Sequence, residues 1–223
     1  MVSVEPPIRV LLVDDDPLVL AGLRLLLRSS DRIEVVGSAL DGDEVLDAVG
    51  HHRPHVVLMD LRMRRTDGIA ATATVRSLPE PPHVIVLTTW DVDDAVVRSI
   101  EAGASGFLLK TASPGEIISA IRAVVAGDAV LSPRSTRRLL DQWSTVDSEQ
   151  RRAAQSRMAT LSDREREVAA ALGEGLTNAQ ASRKLFMAEA TVKAHVASIQ
   201  NKLDARNRVM IAVLAERAGL LRQ

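Results

Sequence analysis

The apolar positions in the first half of the chain form runs that are typical of a buried parallel sheet. Three runs, at 8–13, 56–59 and 84–87, are almost wholly apolar and rich in branched side chains, as expected for strands that helices cover on both faces. A shorter run lies at 106–109. Apolar residues at helical spacing then predict an amphipathic helix from Pro114 to Ala126. The pattern therefore predicts an α/β domain with a parallel sheet.

The last third of the chain has a different pattern, which predicts four short helices. Ser162–Glu165 and Thr177–Gln180 have the spacing of capping boxes at helix starts. A third helix is predicted from about Glu189 to Leu203, and a fourth from Asn207 to Gly219. The apolar stripe of the third helix comprises Val192, Val196, Ile199 and Leu203. Four short helices with a tight glycine turn predict a small all-α domain that contains a helix-turn-helix.

The segment between these halves is more polar. Ser132 to Leu140 has the pattern of one further helix, whereas Ser144 to Ser156 contains few apolar residues and several charges. We expect this second stretch to be a linker, helical in part, that belongs to neither core. The predicted organisation is a first domain at 1–128, a linker at 129–157 and a second domain at 158–223.

Composition narrows the class of protein. A chain of 223 residues with 46% apolar residues is long enough for two cores. The absence of cysteine excludes disulfides, thiolate metal sites and thiol nucleophiles. The first residues lack the pattern of a secretion signal, and no apolar run approaches the roughly 20 residues that span a bilayer. A cytoplasmic protein with no membrane partner is expected.

The formal net charge of −1 hides an asymmetry. Residues 1–128 contain 12 Lys or Arg against 19 Asp or Glu, a balance of −7. Residues 129–157 contain 6 against 3, and residues 158–223 contain 10 against 7, so each has a balance of +3. An acidic first domain and a basic remainder fit a metal–phosphate site joined to a module that meets an anionic partner.

Polar side chains stand where the apolar runs end. In chain order they are Asp14, Asp15, Asp16, Asp60, Thr88 and Lys110. Ligands of parallel sheets bind at the carboxyl ends of the strands, so these groups should converge on one crevice. Clustered carboxylates repel one another unless a cation lies among them. A site lined by oxygen atoms with few protein ligands suits Mg²⁺.

This set of groups fits phosphoryl chemistry. Asp60 is the candidate nucleophile, because aspartyl phosphate is an established covalent intermediate. Asp15, with Asp14 behind it, would hold the metal, while Thr88 and Lys110 would meet the phosphoryl oxygens. A structural alternative is that the acids at 14–16 only cap the helix that begins near residue 17.

The first 128 residues resemble the receiver domain of bacterial two-component response regulators. The matching segments are VLLVDDDPLV, VVLMDLRM, DGI, VIVLTT and AGASGFLLK, in that order. The resemblance implies a flavodoxin-like, doubly wound, five-stranded parallel sheet of order 2-1-3-4-5, with a sensor histidine kinase as partner. It also implies these roles: Asp60 as phosphoacceptor, Asp14 and Asp15 as the acidic pair, the backbone carbonyl of Arg62 as a further metal ligand, Thr88 as switch hydroxyl, Lys110 as phosphate partner and Phe107 as the aromatic switch residue.

Residues Leu161 to Leu221 resemble the LuxR-type helix-turn-helix domain found in NarL/FixJ response regulators. The matching segments are LSDREREV, GLTNAQAS, EATVKAHV, NKL and RNRV. The resemblance implies that the third helix enters the major groove of double-stranded DNA. The positions that correspond to base-reading residues are Lys193, Ala194 and Ala197. The candidates for phosphate contacts are Thr191, His195, Asn178 and Ser198.

Together these features predict a response regulator that controls transcription. Phosphorylation of Asp60 with Mg²⁺ would raise DNA affinity through release of the second domain, formation of a homodimer, or both, and RNA polymerase is a further candidate partner. Beyond its own phosphotransfer and slow self-dephosphorylation, no enzyme activity is expected. Two alternatives remain open: a pseudo-receiver that binds DNA regardless of phosphate, and a haloacid-dehalogenase-type phosphatase that uses Asp14.

Two departures from the family patterns bear on these expectations. Receivers usually carry Met-Pro-Gly after the phosphoacceptor, whereas Met63 is followed by Arg64 and Arg65. We expect a differently shaped loop and altered phosphorylation rates. Relatives of the second domain usually have Ser where this chain has Ala188, and the loss of such a helix cap typically costs about 1 kcal/mol.

Overall fold

The computed structural model describes residues 6–89, 93–131 and 148–221. These residues divide into two compact units: 126–129 and 148–221 form the second, and the remainder form the first. The helix predicted from Ser132 to Leu140 lies outside the described residues. Each unit has its own hydrophobic core.

The first unit is built on a parallel sheet. Its strands are β1 (Ile8–Val13), β2 (Ile33–Ala39), β3 (Val56–Asp60), β4 (His83–Thr88), β5 (Gly106–Leu109) and β6 (Val130–Leu131). The strand order is 2-1-3-4-5-6, which confirms the predicted order and adds a sixth strand to the five expected. β6 pairs with Gly106 and Phe107 of β5. A strand of two residues is too short to produce a recognisable pattern in the sequence.

Helices cover both faces of this sheet. They are α1 (Pro17–Leu27), α2 (Val45–His52), α3 (Gly68–Arg76), α4 (Asp93–Ala102) and α5 (Pro114–Val125), with a short 3-10 helix at Gly42–Glu44. Alternate residues of β1 enter different cores: Val10 and Leu12 pack with α1 and α5, whereas Leu11 and Val13 pack with α2 and α3. A strand buried on both faces therefore has no polar alternation, and this explains the continuous apolar runs.

The second unit is helical. Its described helices are α6 (Ser148–Met158), α7 (Asp163–Gly173), α8 (Asn178–Leu185), α9 (Glu189–Lys202) and α10 (Arg208–Ala218). Both predicted capping boxes are confirmed, with Ser162 at the start of α7 and Thr177 at the start of α8. Ala188 precedes α9 and provides no side-chain cap. The predicted apolar stripe of α9 is buried.

One expectation about this unit is wrong. The polar stretch Ser144 to Ser156 was expected to belong to neither core, yet Ala154 is buried in the core of the second unit together with Met158, which lies in the predicted second domain. These two residues are four positions apart, so they lie on the same face of the helix. Two apolar residues are too few to stand out among charged neighbours, so the sequence pattern did not indicate this packing.

The described helices are short. The longest, α9, has 14 residues, whereas a helix that crosses a bilayer needs about 20 apolar residues. Within the described ranges, no helix has the length and apolar character required to span a membrane.

Candidate functional site

The parallel strands of the first unit bring the predicted polar groups to one edge of the sheet. Asp14 directly follows β1, Asp60 is the last residue of β3, Thr88 is the last of β4, and Lys110 directly follows β5. The register aligns these ends, since Asp60 lies beside Leu87 and Thr88 beside Leu109. The backbone N–H of Lys110 donates to the carbonyl of Thr88 at 2.7 Å, which holds the lysine at this edge.

Lys110 joins two buried carboxylates. Its Nζ lies 2.6 Å from Oδ2 of Asp14 and 3.1 Å from Oδ1 of Asp60, and these two acids are only 1% and 6% exposed. Burial alone would lower the pKa of Lys110, but the hydrogen bonds and charges of the two acids raise it above its ordinary value. Lys110 is therefore a fixed cation that faces both acids.

Asp60 itself is held in an unfavourable electrostatic position. Burial raises the pKa of its carboxyl, and the charge of Asp14 raises it further, against the opposing effect of Lys110. Lys110 thus offsets the cost of ionising Asp60 in this site only in part. A carboxylate of this kind gains most from an additional cation.

The donor set at this edge fits a hard divalent cation. Asp14, Asp15 and Asp60 each offer a carboxylate oxygen, and these oxygens all lie within 4.8 Å of one another. Ligands on opposite sides of one Mg²⁺ are about 4.2 Å apart, given metal–oxygen distances of about 2.0 to 2.1 Å. Small side-chain adjustments would therefore bring the three oxygens onto one ion. The structure brings together the acids that the sequence placed in this site.

The second unit presents its own candidate surface along α9. Thr191, Lys193, Ala194 and Ala197 are exposed, whereas the opposite stripe of the same helix is buried. Nζ of Lys193 lies 3.3 Å from Oε1 of Glu189, a surface pair that costs little to separate. The four side chains therefore form an accessible face on the predicted recognition helix.

Comparison with known proteins identifies the families that the two parts of the chain match. Residues 10–122 match the family model described as the response regulator receiver domain, and residues 159–215 match that of the bacterial regulatory proteins of the luxR family. The chain is a LuxR-type two-component response regulator. Its family is one of transcription regulators rather than enzymes.

Full-length relatives support this membership. The chain is 38% identical to the transcriptional regulatory protein LiaR of Bacillus subtilis over 96% of its own length and 99% of the relative. It is 34% identical to the nitrate/nitrite response regulator protein NarP of Escherichia coli over 93% and 94%. A solved structure, the response regulator ChrA of a heme-sensing two-component system, matches with a TM-score of 0.53 at 36% identity, covering 97% of this chain and all of that one.

The three consecutive acids of this response regulator have separate roles. Asp16 caps α1, and its side chain accepts from the backbone N–H of Leu18 at 2.8 Å. Asp14 instead accepts from Lys110 and, at 3.1 Å, from the N–H of Asp16. The capping interpretation of this segment therefore holds for Asp16 alone, and the other two acids belong to the strand-end cluster.

The remaining receiver residues lie on β4, on β5 and in the loop after β3. Thr88 and Phe107 are buried at 3% and 1% exposure, on neighbouring strands. Arg62 is exposed in the loop that follows Asp60. The switch roles of Thr88 and Phe107, and the role of the Arg62 carbonyl as a metal ligand, stay predictions.

A close backbone approach shapes the loop after Asp60. A Cβ atom at Gly68 would lie 1.9 Å from the carbonyl oxygen of Asp60, so only glycine fits at the start of α3. The N–H of Gly68 donates to the carbonyl of Leu61 at 3.0 Å. Asp67 caps the helix by accepting from the N–H of Ala70. The Asp-Gly pair thus closes the loop tightly against the strand end.

Sequence reasoning missed the acids that anchor this loop. The carboxylate of Asp41 accepts from the backbone N–H groups of Arg65 and Thr66 at 2.9 and 2.8 Å. Burial would raise the pKa of Asp41, but these N–H donors and the charge of Arg65 lower it to about 2. The available signal was its position two residues after β2, which is analogous to the positions of the other strand-end acids.

Three predicted DNA contacts lie in less accessible surroundings. His195 is half-buried. The Ser198 hydroxyl donates to Oε1 of Glu165 at 2.7 Å. Asn178 is 2% exposed, and its backbone N–H donates to Asp128 while its side chain donates to the carbonyl of Ala126, both at 3.0 Å. Their phosphate contacts remain predictions.

Proposed function

We propose that this response regulator accepts a phosphoryl group on Asp60 from a sensor histidine kinase, with Mg²⁺ as the metal. The observation that carries the proposal is the bridge from Lys110 to Asp14 and Asp60 within the three-carboxylate cluster. In this arrangement Lys110 can donate to a phosphoryl oxygen, and the carboxylates can hold a metal ion that offsets the phosphoryl charge. Burial and the charge of Asp14 raise the pKa of Asp60 despite its contact with Lys110, so its carboxylate gains from a further cation.

The transfer step follows from these groups. An oxygen of the Asp60 carboxylate forms a bond to phosphorus, and the bond from phosphorus to the donor breaks, with the electron pair leaving on the donor. A bound Mg²⁺ would offset the negative charge on the carboxylates and phosphoryl oxygens. Lys110, already 3.1 Å from Asp60, donates to a phosphoryl oxygen. Hydrolysis of the same acyl phosphate would return the carboxylate.

The output of this modification is DNA binding by the second unit. The exposed face of α9 is the base-reading surface, and Lys193 is its candidate donor to a base edge. Formation of a homodimer after phosphorylation would place two such helices on paired half-sites of double-stranded DNA. RNA polymerase is a further candidate partner at a promoter.

One observation favours a second candidate, a pseudo-receiver that binds DNA regardless of phosphate. Nε of Arg64 lies 3.4 Å from Oδ2 of Asp15, so a side chain of the protein itself supplies a cation to the acidic cluster. We do not propose the phosphatase alternative. Both carboxylate oxygens of Asp14 already accept hydrogen bonds, and the family is one of regulators.

A phosphorylation assay separates the two candidates. The protein is incubated with Mg²⁺ and acetyl phosphate, and wild type is compared with Asp60→Ala by phosphate-retarding electrophoresis and by binding to a promoter fragment. Our proposal expects a labile modification that Asp60→Ala removes, together with higher DNA affinity after modification. A wild type that stays unmodified and binds DNA equally well with and without acetyl phosphate would favour the pseudo-receiver.

The DNA-reading role of Lys193 has its own test. Lys193→Ala should weaken specific binding by about 1 to 3 kcal/mol and relax sequence preference at one base position. Lys184→Ala, an exposed lysine of α8 paired with Glu174, is the matched control for loss of one positive charge. An equal loss of affinity on all DNA sequences would instead assign Lys193 to a phosphate.

A further inference from the structure

The two arginines that replace the usual Pro-Gly of the receiver loop point to different partners. Arg65 lies against the acids that follow β2, with Nη1 3.0 Å from Asp43 and Nη2 2.6 Å from Glu44. Arg64 instead contacts the strand-end cluster of Asp14, Asp15 and Asp60, where its Nε lies 3.4 Å from Oδ2 of Asp15. Adjacent cations of one loop therefore contact two separate groups of acids.

The contacts of Arg65 and its neighbour fix the backbone next to Arg64. The N–H groups of Arg65 and Thr66 both donate to Asp41. A Cβ atom at Gly42 would lie 2.4 Å from the carbonyl oxygen of Thr66, which shows how closely the two loops approach. An anchored backbone leaves Arg64 fewer conformations to lose when it contacts Asp15. The loop anchor therefore favours the pair between Arg64 and Asp15.

The pair between Arg64 and Asp15 lies at a cluster with excess negative charge. Asp14, Asp15 and Asp60 carry three negative charges against the one positive charge of Lys110, which leaves room for a divalent cation. Asp15 is the most exposed of the three acids, with 28% of its side chain accessible. It is therefore the acid most open to an entering cation. Arg64 meets that same carboxylate.

We propose that Arg64 competes with the divalent cation for Asp15 and so raises the Mg²⁺ concentration that the receiver needs. This inference rests on the proposed function, because it assumes that the cluster binds Mg²⁺. Arg64 acts as a tuning residue through Asp15 and does not react itself. A metal ion that enters the cluster must displace the ion pair between Arg64 and Asp15. Proline at position 64 could not form this pair.

The expected effect is modest because Arg64 is a surface residue, with 83% of its side chain exposed. Exposed ion pairs change equilibria by amounts that correspond to about a two- to fivefold change in an equilibrium constant. Ions in solution screen such pairs, since the Debye length falls from about 10 Å at 0.1 M salt to about 3 Å at 1 M. Dependence on salt thus distinguishes charge competition from a change in loop shape.

The test is calorimetric titration of the full chain with magnesium chloride, at low ionic strength and in about 1 M salt. The variants are Arg64→Ala, Arg65→Ala, and Arg28→Ala as a control for the loss of one exposed arginine at the end of α1. We expect Arg64→Ala to bind Mg²⁺ about two- to fivefold more tightly than wild type at low ionic strength. The ratio should approach one at high salt, and neither Arg65→Ala nor Arg28→Ala should reproduce the gain.

Several results would overturn the inference. Equal Mg²⁺ affinity of Arg64→Ala and wild type would show that Arg64 does not compete. An equal gain in Arg65→Ala, or a gain that persists in high salt, would assign the effect to loop shape. Asp15→Asn distinguishes these failures from failure of the proposed function. If wild type binds Mg²⁺ and Asp15→Asn weakens that binding, the metal site stands on its own; if no variant binds Mg²⁺, both proposals fail.

Discussion

Each unit of this response regulator contains a buried carboxylate beside a lysine. The pKa values of these two carboxylates are shifted in opposite directions. Glu165 of the second unit accepts from Lys202, from the N–H of Ser162 and from the Ser198 hydroxyl, at 2.7, 2.8 and 2.7 Å. Its bond to Lys202, followed by those to Ser162 and Ser198, lowers its pKa to about 2. The pKa of Asp60 in the first unit is raised instead.

Burial is the main cause of the raised pKa of Asp60, and the two carboxylates also differ in how many donors each has for itself. Glu165 has three, which satisfy its charge, so it ties the start of α7 to α9. Asp60 shares Lys110 with Asp14 and lies near Asp15, so its charge is only partly satisfied. A carboxylate whose charge is fully matched by hydrogen-bond donors stabilises a fold, whereas one whose charge is only partly matched is available for chemistry.

The largest expected contrast comes from Asp60→Asn. This variant should lose all Mg²⁺-dependent incorporation of phosphoryl groups from acetyl phosphate, since an amide is not a nucleophile toward phosphorus. Its midpoint of thermal unfolding should not fall, because the change removes a carboxylate whose ionisation burial and Asp14 oppose. The phosphorylation assay measures the loss of modification, and calorimetry measures the midpoint of thermal unfolding. A midpoint several degrees below wild type would show that Asp60 stabilises the fold, and the contrast with Glu165 would disappear.

The matching change in the second unit is Glu165→Gln. It should lower the free energy of unfolding of that unit by about 1 to 3 kcal/mol, because Lys202 and the Ser162 N–H lose their charged acceptor. Hydrogen exchange of peptides from α7 and α9 measures this change. Phosphorylation should continue at the wild-type rate. Unchanged exchange protection in both helices would show that the Glu165 network contributes no stability.

Acid should act on the same network. The pKa of Glu165 falls from an ordinary value of 4.5 to about 2 in the folded protein. Its contribution is therefore fully present above about pH 4.5 and is lost as the pH falls toward 2. Exchange protection of α7 should decline over this range in wild type, with a weaker decline in Glu165→Gln. Parallel curves for the two proteins would assign the acid sensitivity to other groups.

The smallest expected effect concerns the uncapped start of α9. Ala188→Ser should stabilise the second unit by about 0.5 to 1 kcal/mol, by supplying the missing acceptor for a backbone N–H of the first turn. Urea unfolding monitored by exchange in α9 measures the gain. The control is Ser162→Ala, which removes an existing cap and should cost a similar amount. A loss of stability in Ala188→Ser would mean that serine cannot adopt a capping conformation there.

Much of the receiver site could be predicted because parallel strands convert sequence order into spatial convergence. Asp60, Thr88 and Lys110 each follow an apolar run, and strand register brings such positions together without knowledge of the loops. The same logic located the buried stripe of α9, since helical spacing alone decides which residues share a face. These features depend on periodicity.

The remaining features depend on contacts between distant segments. Nothing in the sequence indicates that Arg65 would contact the acids after β2 while Arg64 contacts Asp15, because both are arginines in one loop. The bond between Ser198 and Glu165 spans 33 positions and has no local signature. The docking of α6 depends on two apolar residues in a polar helix, and β6 is only two residues long. Tertiary packing decides each of these cases.

The central claim is tested most directly by identifying the modified residue. The protein is incubated with acetyl phosphate and Mg²⁺, the acyl phosphate is reduced with borohydride, and peptides are mapped by mass spectrometry. Our account predicts reduction at Asp60 alone, and no product when Mg²⁺ is removed by a chelator. Reduction at Asp14 or Asp15, or a product that forms equally well without Mg²⁺, would contradict it.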